Sequence, residues 1–105
     1  MCGRYVSPSE AALEREWHIG RGSNNPFGVR YNAVPTQVLP VVHVHPERGR
    51  EIALLRWGLV LSWAKDPKIG ARIINARSET VAEKPAFRTT FRRHRCLMPM
   101  AGIYE

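Results

Sequence analysis

The sequence has no long apolar run and no leader-like segment. Its longest uncharged stretch, residues 31–42, contains two prolines and the polar residues Asn32, Thr36 and Gln37, so it is not a membrane-spanning helix. The first ten residues lack the apolar core of a secretory signal. Repeats and low-complexity segments are absent. A composition of 44% hydrophobic and 24% charged residues argues against disorder. These absences predict one small globular unit in a cytosolic or nucleoid setting.

Cysteine is scarce, and no metal-ligand spacing is visible. The two cysteines, Cys2 and Cys96, would stay reduced in the cytosol, so we expect no disulfide. Cys96 begins the apolar run 96–101, which predicts a small buried side chain. His43 and His45 share a face of a predicted strand, but CxxC and HxxxH spacings are absent. We therefore predict no metal site, and nothing in the sequence indicates a cofactor.

Acidic residues are few, and lysine is rarer still. Nine Asp and Glu stand against 16 Lys and Arg, of which 13 are Arg, and the formal net charge is +7. Residues 72–95 hold seven of these bases and two acids, which gives +5 in this window alone. Arginine binds phosphates bidentately and stacks on bases, so the window is typical of a nucleic-acid surface. The alternative is a solvated basic surface that keeps a small protein in solution.

The element pattern is that of an α+β protein. A capping box with Ser7 as N-cap, Pro8 at the first helical position and Glu10 at the third predicts a helix that ends near Trp17. Strands at 38–45 and 51–57 flank a turn and predict a hairpin, in which Pro40 indicates an edge or a bulge. The other predictions are a loop at 20–28, a loop with a short turn at 58–73, a helical turn at 79–83, a helix at 87–94 and a strand at 97–104.

Cys2 directly follows the initiator methionine, and removal of Met1 would give it a free α-amine. An α-amine is much less basic than a lysine, so part of it is uncharged and nucleophilic near neutral pH. A thiol beside this amine makes a 1,2-aminothiol, which attacks an aldehyde first through nitrogen and then through sulfur. The product is a five-membered thiazolidine ring. The alternative is that Cys2 is only a small residue at a flexible terminus.

Six short motifs occur in a specific order along the chain. They are MCGRY at 1–5, YNAVP at 31–35, RWGLV at 56–60, SWA at 62–64, INARSET at 74–80 and AGIYE at 101–105. Each motif alone could arise by chance. The ordered set resembles the SOS response-associated peptidase (SRAP) family of abasic-site processing proteins over nearly the whole chain.

The resemblance implies both an activity and a fold. Family members remove Met1 and crosslink the exposed cysteine to the aldehyde of an abasic site in single-stranded DNA, as a thiazolidine. The implied fold is an antiparallel, barrel-like β-core flanked by short helices, and we expect a monomer. The implied site residues are the nucleophile Cys2, the orienting amide Asn75, the proton-shuttling Glu105, the phosphate-binding Arg4 and Arg77, and Pro35 and Trp63 in loops that border the DNA.

The chain departs from the family pattern in two places. Leu61 stands where the family usually has a proline, and the family's catalytic histidine lies beyond the part that this chain resembles. Residues 102–105 also end inside an apolar stretch. Residues 1–105 are therefore predicted to be the N-terminal portion of a single domain. The alternatives are a non-catalytic basic module that binds single-stranded DNA and an inactive truncated remnant.

Overall fold

A computed structural model describes residues 2–19, 27–61 and 63–104. The elements, in chain order, are β1 (Tyr5–Ser7), α1 (Glu10–Trp17), β2 (Arg30–Ala33), β3 (Val38–His45), β4 (Gly49–Arg56), a 3₁₀ helix (Pro67–Ala71), α2 (Arg88–Arg93) and β5 (Gly102–Ile103). Both sheets are antiparallel, which confirms the α+β class. No described helix is long and apolar enough to cross a membrane.

The first sheet places the N-terminal strand in its middle. Its order is β2-β1-β5, so Tyr5 of β1 pairs with Ala33 on one side and Ile103 on the other. The second sheet is the β3–β4 hairpin. Within the described residues the two sheets do not close into a barrel, so the barrel-like core stays a prediction.

The predicted hairpin is confirmed, with a longer second strand. Its pairs run from Val38 and Arg56 to His45 and Gly49. Gly49 has a φ of 77°, a left-handed conformation that glycine adopts without steric cost. The ring nitrogen Nδ1 of His45 accepts hydrogen bonds from the backbone N–H groups of Glu47 and Arg48, at 3.1 and 3.2 Å, and closes the turn.

Helix α1 begins at a different cap from the one predicted. Ser9, rather than Ser7, is the N-cap, and its hydroxyl accepts a hydrogen bond of 3.2 Å from the backbone N–H of Ala12. Ser7 is the buried last residue of β1, where it pairs with Arg30. Strand pairing with a distant residue therefore overrides the local capping pattern. The helix ends at Trp17, as predicted.

The core lies between the two sheets. Tyr5, Ala33, Leu39 and Trp57 form its buried cluster. The rings of Tyr5 and Trp57 meet edge to face, with centroids 5.5 Å apart and planes at 63°. Such pairs add about 0.5–1.5 kcal/mol to the burial of their surface. The prediction that Trp57 is a core residue is confirmed.

The last third of the chain is less regular than predicted. Helix α2 and a turn at residues 78–83 are present, but the predicted strand at 97–104 is not continuous. Leu97 makes an isolated bridge to Val42, and β5 follows only after Pro99, which has no N–H to donate. The prediction that Cys96 is buried is wrong, because its side chain is exposed. Most of the predicted 20–28 loop lies outside the described residues.

Candidate active site around Cys2

The N-terminal segment is held against the core by β1 and its neighbours. Cys2 is partly buried and packs, with Ile74 and Met98, against the core cluster. The backbone N–H of Tyr104 donates a hydrogen bond of 3.2 Å to the carbonyl oxygen of Arg4. Cys2 therefore lies in a defined position, three residues before a strand with partners on both sides.

Asn75 is the residue that the structure brings to Cys2. The amide Nδ2 of Asn75 donates a hydrogen bond of 3.3 Å to the carbonyl oxygen of Cys2 across 73 residues of sequence. The amide is neutral, so it can orient the terminus without changing the charge of the site. Cys2 and Asn75, two of the predicted site residues, are thus in direct contact. The strands and loops between them in the sequence determine the local geometry of the site.

A close backbone contact positions the segment that carries Asn75. Gly58 has a φ of 133°, and a Cβ atom built on it would lie 2.3 Å from the carbonyl oxygen of Gly70. Next to this contact, the N–H of Leu59 donates a hydrogen bond of 2.9 Å to the carbonyl of Ile73. Glycine at position 58 therefore lets the chain after β4 pack directly on the 3₁₀ helix, which ends four residues before Asn75.

The two predicted phosphate-binding arginines, Arg4 and Arg77, are exposed. Arg4 precedes β1, and Arg77 follows Asn75 by two residues. Among the described residues neither guanidinium makes an ion pair or hydrogen bond, whereas Arg48 is paired with Glu51 in the hairpin at 2.9 Å. Two exposed positive charges that are unpaired among the described residues, one two residues after Cys2 and the other two residues after Asn75, are available to an anionic ligand.

Pro35 and Trp63 lie in two different loops. Pro35 is partly buried in the β2–β3 loop, which is tied to the core because the N–H of Thr36 donates a hydrogen bond of 2.9 Å to the carbonyl of Trp57. Trp63 is 65% exposed, which fits its predicted position on the surface. In the described part of the chain, neither residue belongs to the group that packs with Cys2 against the core cluster. Glu105 lies outside the described residues.

The hairpin histidines are engaged in contacts within the hairpin. The Nε2 atom of His43 lies 3.0 Å from a carboxylate oxygen of Glu51, and His45 closes the turn. The Arg48 guanidinium holds the pKa of Glu51 at about 2, well below its usual range. The described residues contain no cluster of three or more His, Cys, Asp or Glu that could hold a metal ion.

An open groove beside Asn75 was not predicted from the sequence. It has a volume of about 560 Å³, and its mainly apolar walls come from the segments 57–59, 73–76 and 81–96. Phe87 and Phe91, four residues apart, contribute rings from α2, and Cys96 lies on the wall. Desolvation by the groove wall raises the pKa of the Cys96 thiol, although its side chain is exposed. The spacing of Phe87 and Phe91 is the one sequence signal for this face.

Comparisons with known proteins agree on one family. The family model for SOS response associated peptidase (SRAP) matches residues 1–105. The abasic site processing protein YoqW of Bacillus subtilis (strain 168) is 36% identical over 110 residues, which cover 100% of this chain and 47% of YoqW. YoaM from the same strain, also named an abasic site processing protein, is similar at 36% identity with the same coverage.

A vertebrate relative is similar over less of its length. The abasic site processing protein HMCES of Xenopus tropicalis is 31% identical over 103 residues, which cover 87% of this chain and 31% of that protein. The chain therefore spans about half the length of the bacterial relatives and a smaller part of the vertebrate one. No solved structure matches the chain.

Proposed function

Because the chain belongs to the SOS response associated peptidase (SRAP) family, we propose that it carries the nucleophilic half of an abasic-site processing domain. In this proposal Cys2, freed of Met1, forms a covalent crosslink with an abasic site in single-stranded DNA. The observation that carries the proposal is the hydrogen bond from Asn75 to Cys2. Arg4 and Arg77, each exposed and two residues from one member of this pair in the sequence, support it. The names of the relatives YoqW and HMCES, which describe abasic site processing, support the choice of substrate.

The proposed chemistry begins with hydrolysis of the peptide bond between Met1 and Cys2, which the domain performs on itself. The freed α-amine then adds to the aldehyde carbon of the ring-opened deoxyribose, and loss of water gives an imine. The thiolate of Cys2 adds to the imine carbon, and the nitrogen takes up a proton. One C–N and one C–S bond remain in a thiazolidine, with water as the by-product of crosslinking.

Asn75 and Glu105 have separate roles in this scheme. The amide of Asn75 holds the Cys2 carbonyl and thereby limits the directions in which the amine and thiol can face. Opening the sugar hemiacetal requires a proton on its ring oxygen, which a carboxyl group such as Glu105 can deliver. We assign Glu105 this role from the family resemblance alone.

The DNA contacts are assigned from the family resemblance, and the exposure of Arg4, Arg77 and Trp63 supports them. Arg4 and Arg77 are assigned to backbone phosphates, which supply affinity without sequence preference. Trp63 and Pro35 are assigned to neighbouring bases, and stacking on an aromatic ring contributes about 1–3 kcal/mol per base. Such binding suits a lesion that has no base to read.

The experiment is incubation with single-stranded DNA that contains one abasic site, followed by denaturing electrophoresis. We expect a heat-stable adduct that is absent with intact DNA and with Cys2→Ala, and that is retained with the matched control Cys96→Ala. Asn75→Ala should slow adduct formation at least tenfold. Mass spectrometry should find Cys2 at the amino terminus of the reactive protein.

Two results would contradict the proposal. An adduct that persists in Cys2→Ala would assign the reaction to another nucleophile. Salt-dependent binding that is equal for intact and abasic DNA, without any adduct, would instead support a non-catalytic basic module.

A further inference from the structure

Helix α2 has a basic face that points away from the groove beside Asn75. Successive residues of a helix are about 100° apart around its axis. On this spacing, the residues of α2 and its caps that line the groove fall on one side: Phe87, Thr90, Phe91 and His94. Three exposed arginines fall on the opposite side, within an arc of about 140°. These three, Arg88, Arg92 and Arg93, are the basic face of α2.

No acidic side chain of the described residues neutralises the basic face. The sequence has no Asp or Glu between Glu83 and Glu105. Among the described residues, none of the three guanidinium groups makes an ion pair or a hydrogen bond. The neighbouring Arg95 differs, because its Nε donates a hydrogen bond of 2.6 Å to the carbonyl oxygen of Phe91 and its guanidinium lies 3.9 Å from the centre of that ring. The basic face therefore presents three uncompensated positive charges.

The stability of the helix does not account for these charges. Arg92 and Arg93 are favourable in the last turn, but Arg88 is the first residue of α2, where the helix dipole favours an acidic side chain. Arg88 and Arg92 are also four residues apart, and like charges at this spacing repel each other. A polyanion that lies along the helix explains all three arginines.

The spacing of the arginines suits a nucleic-acid backbone. Arg88 and Arg92 are separated by about 6 Å along the helix axis. Over that length, one strand of B-form DNA presents about two phosphates, at 3.4 Å per phosphate. A guanidinium group can bind a phosphate through two parallel hydrogen bonds.

We infer that the basic face of α2 is a second phosphate-binding surface for the single-stranded DNA that carries the lesion, in addition to Arg4 and Arg77. The inference rests on the proposed function for the choice of this ligand. Residues of α2 and Asn75 line the same groove, and Asn75 holds Cys2, so the helix lies next to the candidate site. The basic face binds phosphates that flank the lesion and contributes affinity without sequence preference.

The experiment measures binding of intact, fluorescein-labelled single-stranded DNA by fluorescence anisotropy, from about 50 to 200 mM salt. The double variant Arg88→Gln/Arg92→Gln is compared with the charge-matched control Arg15→Gln/Arg48→Gln, in α1 and the hairpin. Each lost phosphate contact reduces the slope of log K against log salt concentration by about 0.7, which is about fivefold in affinity at 0.1 M salt. The α2 variant should therefore bind about 25-fold more weakly, with a slope reduced by about 1.4. The control should change neither quantity measurably.

Two further measurements separate phosphate binding from a structural or catalytic role. Thr89→Arg adds a charge to the same face and should tighten binding by about fivefold at 0.1 M salt. The α2 double variant should melt no earlier than the unmodified protein, because the repulsion between Arg88 and Arg92 is removed. With abasic DNA, it should raise the DNA concentration needed for half-maximal crosslinking and leave the rate at saturating DNA unchanged.

Equal affinities and equal salt slopes in the two double variants would overturn the inference. Weaker binding that is accompanied by an earlier melt would also overturn it and assign the arginines a structural role. Intact DNA cannot form the adduct, so the binding measurement does not depend on the crosslinking chemistry. Failure to crosslink abasic DNA would therefore contradict the proposed function and leave the result for α2 unaffected.

Discussion

Replacement of Gly58 by alanine tests whether the close contact behind Asn75 determines stability. A Cβ at this position would lie 2.3 Å from the carbonyl oxygen of Gly70 and 2.8 Å from its carbon, both of them backbone atoms that have little room to move. The φ of 133° adds backbone strain of roughly 1–3 kcal/mol. Overpacking typically adds about 1–3 kcal/mol. Gly58→Ala should therefore lower the free energy of unfolding by about 2–6 kcal/mol.

Alanine substitutions at two other glycines separate the cost of backbone strain from the cost of overpacking. Gly49 has a φ of 77° but open space around it, so Gly49→Ala should cost only the strain, about 1–2 kcal/mol. Gly28 has neither feature, and Gly28→Ala should stay within about 0.5 kcal/mol of the original protein. Urea unfolding followed by tryptophan fluorescence measures all three. A Gly58→Ala loss no larger than that of Gly49→Ala would refute the reasoning from the Gly70 contact.

Two further predictions concern the hairpin and α1. The Arg48 guanidinium holds the pKa of Glu51 at about 2, below its ordinary value of 4.5. The stabilisation from this ion pair is therefore complete above about pH 4.5 and is lost as the pH falls towards 2. The melting temperature of Glu51→Gln should therefore differ from that of the unmodified protein at pH 7 and approach it near pH 2. A difference in melting temperature that stays constant over this pH range would exclude the linkage. Ser9→Ala should cost about 1 kcal/mol through loss of the N-cap bond, whereas Ser78→Ala, in an exposed turn, should have no measurable effect on urea unfolding.

Local elements were predictable because their determinants are adjacent in sequence. The hairpin 38–56 follows from two β-rich segments around a short turn, and the helix that ends at Trp17 follows from the capping-box pattern at its start. The cap of α1 was misplaced because Ser7 and Ser9 offer the same local chemistry. Only the pairing of Ser7 with Arg30, 23 residues away, decides between them.

The residues of the candidate site could be predicted from the family resemblance but not from local sequence patterns. Asn75 is an ordinary turn residue until the fold brings it to Cys2 across 73 positions. Cys96 shows the opposite error, because its apolar neighbours predicted burial while the groove leaves it exposed. The groove itself depends on three separate segments, and only the spacing of Phe87 and Phe91 hinted at it.

The central position of β1 has a consequence for synthesis on the ribosome. Strand β1, which follows the amino terminus, has neighbours on both sides only when β5, at residues 102 and 103, has paired with its free edge. At roughly 5–20 residues per second, translation needs about 5–20 seconds to reach that point. During that interval the first residues of the nascent chain lack their second neighbour, so the position of Cys2 is fixed only after residues 102 and 103 have been added.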